Sequence, residues 1–188
     1  NVTVLDRGIG PILKALEESG QADNTIVVFT SDHGDSLGDR GMINKRAFYE
    51  EVARVPLIVH VPWISKSEQR VEGSIGHTDL VPTLLDLMGE DVPDHLQGAS
   101  RRDVLEGSNV LSDDVFMQWH GGAATVPLGN AEVERLSEIP WRCMVSGDRW
   151  KLNLSPADTC ELYDLNSDPL ELENLYADAE HADTGCGI

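Results

Sequence analysis

In the run TIVVFTSDHGDSLGDRG, residues 25–41, an acid and an imidazole stand side by side just after a stretch of six β-prone residues. Asp32 offers anionic oxygen to a hard cation, and His33 offers a neutral nitrogen or a hydrogen-bond donor. Gly34 lets the chain turn away, so that both side chains can address one point. A surface hairpin needs neither group. A metal site at the carboxyl end of a parallel strand uses both, and open α/β sheets bind ligands at that end. The same residues also fit an Asx-turn at a strand end with an exposed histidine. Spacing alone leaves both readings open.

For the pair to act, a strand must deliver it and helices must support the strand. Residues 25–30 carry apolar side chains on both faces, the pattern of a parallel strand covered by helices. A second such run, VPLIVHVP at residues 55–62, is closed at both ends by proline. Before the first strand, Val2, Leu5, Ile9, Ile12, Leu13 and Leu16 keep to one helical face, with Gly20 as a stop. Pro11 bends that helix or starts its better-formed half. HTDLVPTLLDLMG, residues 77–89, reads as a helix with Thr78 or Asp79 as N-cap, Pro82 in the first turn and Gly89 as C-cap. The first 90 residues therefore read as half of an α/β sandwich.

The later half changes character. Residues 91–113 are polar and loop-like, and short strand candidates follow at 115–120, 141–146, 150–154 and 161–165. Gly147-Asp148 sits between two of these as a hairpin turn. A small antiparallel sheet is the expected result. From residue 161 to the end there is no Lys or Arg, which predicts a solvated acidic tail.

Composition narrows the partners. Fourteen Lys and Arg against 33 Asp and Glu give a net charge of −19. Such a surface repels nucleic acid and anionic membrane, so neither is an expected partner. It also fits a salt-rich cytoplasm, where dense carboxylates keep proteins soluble. A hydrophobic fraction of 40% permits a proper core. No apolar run is long enough to span a membrane. The opening NVTVLDRGIG lacks the basic start and apolar centre of a signal peptide, which favours a cytoplasmic setting, and it lacks an initiator Met, which predicts a piece of a longer product. Cys143, Cys160 and Cys186 form no C-x-x-C pair and read as three reduced thiols.

The run TIVVFTSDHGDSLGDRG, the following INKRAFYEEVARVPLIVHVP, and HTDLVPTLLDLMG resemble the C-terminal half of a sulfatase, a member of the alkaline-phosphatase-like group of metal-dependent hydrolases. ELYDLNSDPLELENL resembles the C-terminal signature of that family, in which a strand leads into an Asp-Pro turn. The likeness covers residues 1–90 and again 141–176. It implies an α/β fold: part of an alkaline-phosphatase-like α/β sandwich over residues 1–113, a small antiparallel C-terminal sheet subdomain over 114–176, and an acidic tail over 177–188. It implies a sulfuric ester hydrolase acting on a small sulfated substrate.

The resemblance also assigns residues. It puts Asp32 and His33 in the shell of one divalent metal, with His33 facing substrate as well. It puts Lys45 against the sulfate as a substrate-binding and catalytic group, steadying charge on the leaving oxygen. Calcium is the expected ion. Many calcium sulfatases carry Asn where this chain has His33, and a histidine there is more like the choline-sulfatase and phosphonate-monoester-hydrolase branches, which brings manganese or magnesium into question. Arg40 stands where many relatives have His in the pattern LGDHG. Asp35 and Asp39 read as loop-shaping residues. Arg54 and Glu51 read as a pair anchoring the loop end. His77 reads as a capping or packing group. His120 and residues 121–138 are pocket candidates with no fixed partner.

Family members use a formylglycine made from Cys or Ser in a C/S-x-P/A-x-R element. The three cysteine contexts, CMVSG, CELYD and CGI, do not match it. The paired N-terminal aspartates that complete the family's metal shell are also absent. The resemblance therefore implies that the nucleophile lies upstream, that the missing N-terminal half of the same protein is a partner, and that homo-oligomers are open. Two alternatives stand beside the sulfatase reading. One is a phosphonate or phosphate ester hydrolase of the same superfamily. The other is a non-catalytic module that binds metal or sulfate.

Overall fold

The computed structural model describes residues 2–45, 47–64, 67–108, 114–122, 135, 138–156 and 158–181. The chain divides into two compact units, residues 1–31 with 56–70, and residues 32–55 with 71–188.

The first unit is built from one helix and two strands. The apolar spacing expected of a helix gives α1, Val2–Glu18, which runs through Pro11 without ending there. It stops at Gly20, where φ is +72° and the glycine N–H donates to the Glu17 carbonyl at 3.0 Å. No residue of α1 is buried; Val2, Leu5 and Ile12 of its apolar stripe lie exposed, while Ile9 and Leu16 are half-buried.

Strands β1, Val27–Thr30, and β2, Leu57–His60, pair with Val27 opposite His60 and Thr30 opposite Leu57. The pairing is antiparallel, where parallel strands were expected. Parallel neighbours need a crossover that spans the sheet, usually a helix. Among the described residues between these two, the helical pieces are a three-residue 3-10 turn, Asp39–Gly41, and the four-residue α2, Glu50–Ala53. β2 also alternates half-buried and exposed positions, with Ile58 exposed, so its apolar run is covered on one side of this chain and not on both.

In the second unit α3, Leu80–Leu87, has Asp79 as N-cap and Pro82 in its first turn. Gly89, at φ +77°, closes it, with the Glu90 N–H on the Leu85 carbonyl at 2.9 Å. The expected cap differs in one respect. The Asp79 side chain makes no capping bond to the helix. Its carboxylate instead accepts the Ala99 N–H and the Arg101 Nε–H, each at 2.9 Å. Thr83 Oγ1 donates to the Asp79 carbonyl and accepts the Arg101 N–H. This cluster pins the chain ahead of α4, Arg102–Leu105, a short helix that the polar composition of residues 91–113 concealed.

Strands β3, Val115–Trp119, β4, Trp141–Val145, β5, Trp150–Leu154, and β6, Glu161–Asp164, form an antiparallel sheet in chain order. This is the small C-terminal sheet the short apolar runs predict. The β4–β5 turn contains Gly147-Asp148, as expected, and Arg149 follows at φ +72° as the left-handed third residue. The register sets Met117, Cys143, Asn153 and Glu161 in one row, and Val145, Lys151 and Tyr163 in another. Residues two apart share a face, so both rows lie on the same side. Phe48 and Tyr49 pack against the core that Cys143, Val145, Tyr163 and Leu165 form there.

Cys143 and Cys160 are free thiols. Burial pushes the Cys143 thiol up to about 12, against the opposing charge of Lys151. Cys186, residues 182–188 of the acidic tail and residues 123–134 of the variable loop lie outside the described residues. Among the described residues no helix is long and apolar enough to cross a membrane.

Candidate functional site

Two residues beyond β1 the chain reaches Asp32 and His33. Asp32 Oδ1 accepts the His33 N–H at 3.0 Å, an i to i+1 contact and not the i to i+2 bond of an Asx-turn. Asp32 Oδ2 stands 3.3 Å from His33 Nε2. His33 Nδ1 lies 2.6 Å from the Gly34 carbonyl, which can only accept, so Nδ1 carries the proton. Nε2 is the ring nitrogen that faces the Asp32 oxygen. Two ligands held at about 2.1–2.4 Å from one cation, near a right angle, stand about 3.0–3.4 Å apart. The observed separation fits that edge.

Desolvation pushes the Asp32 carboxyl up, but the charge of His33, backbone hydrogen bonds and the charge of Lys45 together hold it below the ordinary carboxylate range. An oxygen that stays anionic suits a hard cation. Among the described residues no three His, Cys, Asp or Glu side chains converge. Asp32 and His33 by themselves would supply only part of a shell, since hard cations take six or more ligands.

Gly34 serves differently from the sequence expectation. Its N–H donates to the Val52 carbonyl at 2.8 Å, and a Cβ there would lie 1.9 Å from the Glu51 carbonyl oxygen. The position needs the absence of a side chain, not a special backbone angle.

Beyond it the loop closes on itself. Asp35 Oδ1 accepts the Leu37 N–H at 2.8 Å and the Asn44 N–H at 3.2 Å, the loop-shaping part expected of it. The Ser36 N–H and hydroxyl both reach the Asn44 carbonyl at 3.0 Å. Asp39 contributes through its backbone, its N–H on Ser36 and its carbonyl on Met42. Lys45 follows Asn44 directly and is exposed. Asp32, His33 and Lys45 thus belong to one loop system, and the Lys45 charge reaches Asp32.

The expected Arg54–Glu51 pair does not form. In α2 the i, i+4 spacing brings Arg54 to Glu50, at 3.9 Å, while Glu51 meets Arg40 at 3.5 Å. Arg40 also lies over the Tyr49 ring, 3.8 Å from its centroid, and donates to the Leu170 carbonyl. His77 opens the 3-10 turn before α3, and His120 follows β3; both are exposed.

Sequence reasoning missed a buried set behind the loop. Lys151 Nζ lies 2.8 Å from Glu171 Oε1 and 3.1 Å from Glu50 Oε1, and the Lys151 and Glu171 side chains are 0% exposed. Burial raises the Glu171 carboxyl above its ordinary value, and the Lys151 charge opposes that shift. The one available signal was register: Lys151 and Asn153 share a strand face with Tyr163 and Glu161.

The sulfatase family model matches residues 1–90. An N-acetylglucosamine-6-O-sulfatase of Bacteroides thetaiotaomicron is 34% identical over 181 residues, covering 96% of this chain and 32% of the relative. A solved structure of a protein in complex with its substrate D-glucosamine-2-N,6-O-disulfate superposes with a TM-score of 0.84 at 32% identity, over 99% of this chain and 37% of that one. The phosphonate monoester hydrolase of Agrobacterium radiobacter superposes with a TM-score of 0.80 at 29% identity, over 97% and 37% of the two chains. The chain spans about a third of the length of the curated relatives it matches.

Proposed function

The chain belongs to the sulfatase family, and from that premise we propose that it forms the C-terminal part of a sulfate-ester hydrolase. The observation that carries the reading is the fold match across 99% of the chain to a protein solved with a sulfated substrate. In this reading Asp32 Oδ2 and His33 Nε2 hold a divalent cation, calcium first and manganese or magnesium next. When bound, the cation supplies positive charge against the sulfate oxygens. Lys45 binds the sulfate and meets the charge that develops on the bridging oxygen as the S–O bond breaks. The formylglycine nucleophile and the remaining metal ligands come from the N-terminal region of the same protein.

The phosphonate monoester hydrolase match favours one second reading, hydrolysis of a phosphonate or phosphate ester at the same site. A direct comparison separates the two. The protein carrying this chain is assayed for sulfate release from glucosamine-6-O-sulfate and nitrophenyl sulfate, and for phenol release from a phenyl phosphonate monoester. Faster sulfate release sustains the proposal. Faster phosphonate cleavage replaces it with the second reading, and no turnover of either ends both.

A further inference from the structure

Four ties run from residues 40–51 to the sheet β5–β6 and the turn after it, each bridging more than 100 positions of sequence. Arg40 donates to the Leu170 carbonyl. Tyr49 Oη donates to Glu161 Oε1 at 2.7 Å. The Glu50 N–H donates to Glu171 Oε2 at 2.6 Å. Lys151 Nζ bridges Glu171 and Glu50 at 2.8 and 3.1 Å.

The Lys151 bridge is an unusual choice for stability alone. A buried ion pair loses its hydration, and well-packed apolar residues of the same volume serve stability as well or better. Glu171 also holds a left-handed backbone, φ +54°, which a non-glycine residue adopts at a cost. What the arrangement does supply is a fixed address. Glu171 grips the main chain of Glu50 through one oxygen, and its other oxygen is held by a lysine that cannot reach solvent.

In sequence that address lies five positions after Lys45. On one side of the lysine, Asn44 is held by Asp35 and Ser36. On the other side, Tyr49 and Glu50 are held by the sheet. We propose that Lys151 and Glu171 are positioning residues that set where Lys45 stands, through the Glu50 main chain. The inference rests on the Lys45 role stated above. It assigns the C-terminal sheet a part in the chemistry that acts through the Glu50 main chain.

The test uses the full protein and the substitution Glu171→Gln, which keeps an acceptor for the Glu50 N–H and removes the charge that Lys151 faces. A milder variant, Tyr49→Phe, removes one hydroxyl tie and guards against a failure to fold. With a poor-leaving-group alkyl sulfate, Glu171→Gln lowers kcat by about 10- to 100-fold, the scale of a misplacement of about 1 Å, with KM little changed. In a Lys45→Ala background the same substitution lowers kcat no further, because the residue it positions is gone. A purely structural role predicts a lower Tm with kcat per folded molecule unchanged, or losses that multiply with Lys45→Ala; either result overturns the proposal. Hydrogen exchange of the amides at 47–52 supplies an arm that needs no turnover. Faster exchange in both Glu171→Gln and Tyr49→Phe sustains the latch even if the protein proves not to cleave sulfate esters, and unchanged exchange removes it.

Discussion

At the scale of single residues, the proposed reading separates groups in the loop that act from groups that shape it. Lys45 is exposed, so removing it costs the fold little, within about 0.5 kcal/mol. Its effect belongs in the rate. Lys45→Ala lowers kcat of the full protein by about 10²–10³. Arginine rescues only partly, because its planar fork does not reproduce a point charge. The loss shrinks for nitrophenyl sulfate, whose leaving group needs less help. An unchanged kcat with a poor-leaving-group alkyl sulfate makes Lys45 a mere surface residue. Gly34 behaves the other way. A methyl group there meets the Glu51 carbonyl oxygen at 1.9 Å, so the backbone must move. Gly34→Ala therefore destabilises by at least about 1–3 kcal/mol, read as a lower Tm. An unchanged Tm would mean that the loop base is free to shift. In the sequence Asp32 and His33 stood out as an acid and an imidazole at a strand end, a pattern that leaves a metal site and an Asx-turn both open, while the reason for Gly34, the close approach of the Glu51 carbonyl, was not readable there. Lys151 and Glu171 did not stand out. Period-two alternation in WKLNL assigns the lysine to solvent, and only the packing of residues 48–50 on that face buries it.

At the scale of elements, legibility followed locality. The strands β3 to β6 and the turn at Gly147-Asp148 were readable because β-branched and aromatic runs and turn residues act over a few positions. The direction of β1–β2 pairing was not, because it depends on where the long connection travels. The helix α3 shows a mixed case: its start was readable at Asp79, but the carboxylate is spent on a distant segment. Asp79 is 5% exposed and holds both the Ala99 N–H and Arg101. Asp79→Ala leaves those donors facing an apolar gap, so it costs about 2–4 kcal/mol, well above the ~1 kcal/mol of a lost helix cap. The loss appears in chemical denaturation of the full protein, together with faster exchange at 99–105. A cost near 1 kcal/mol with unchanged exchange would return Asp79 to an ordinary capping role.

At the scale of the whole molecule, two opposing features set how this chain behaves by itself. Val2, Leu5 and Ile12 on α1 and Phe29 and Ile58 on the β1–β2 pair lie exposed. The relatives are about three times as long, and under the proposed reading the N-terminal region of the same protein packs on these faces. Against this stands a net charge of −19, which makes copies of the chain repel one another. Repulsion between surface charges acts over roughly 10 Å in 0.1 M salt and roughly 3 Å in 1 M salt, while apolar association is not screened. The chain expressed alone is therefore expected to stay dispersed at low ionic strength and to dimerise or aggregate as salt is raised. Adding the N-terminal region should suppress that association by occupying the same faces. Sedimentation velocity across the salt series, with and without the N-terminal region, reads both effects. A monomer that melts cooperatively and stays monodisperse at every salt concentration would show that these apolar faces need no cover.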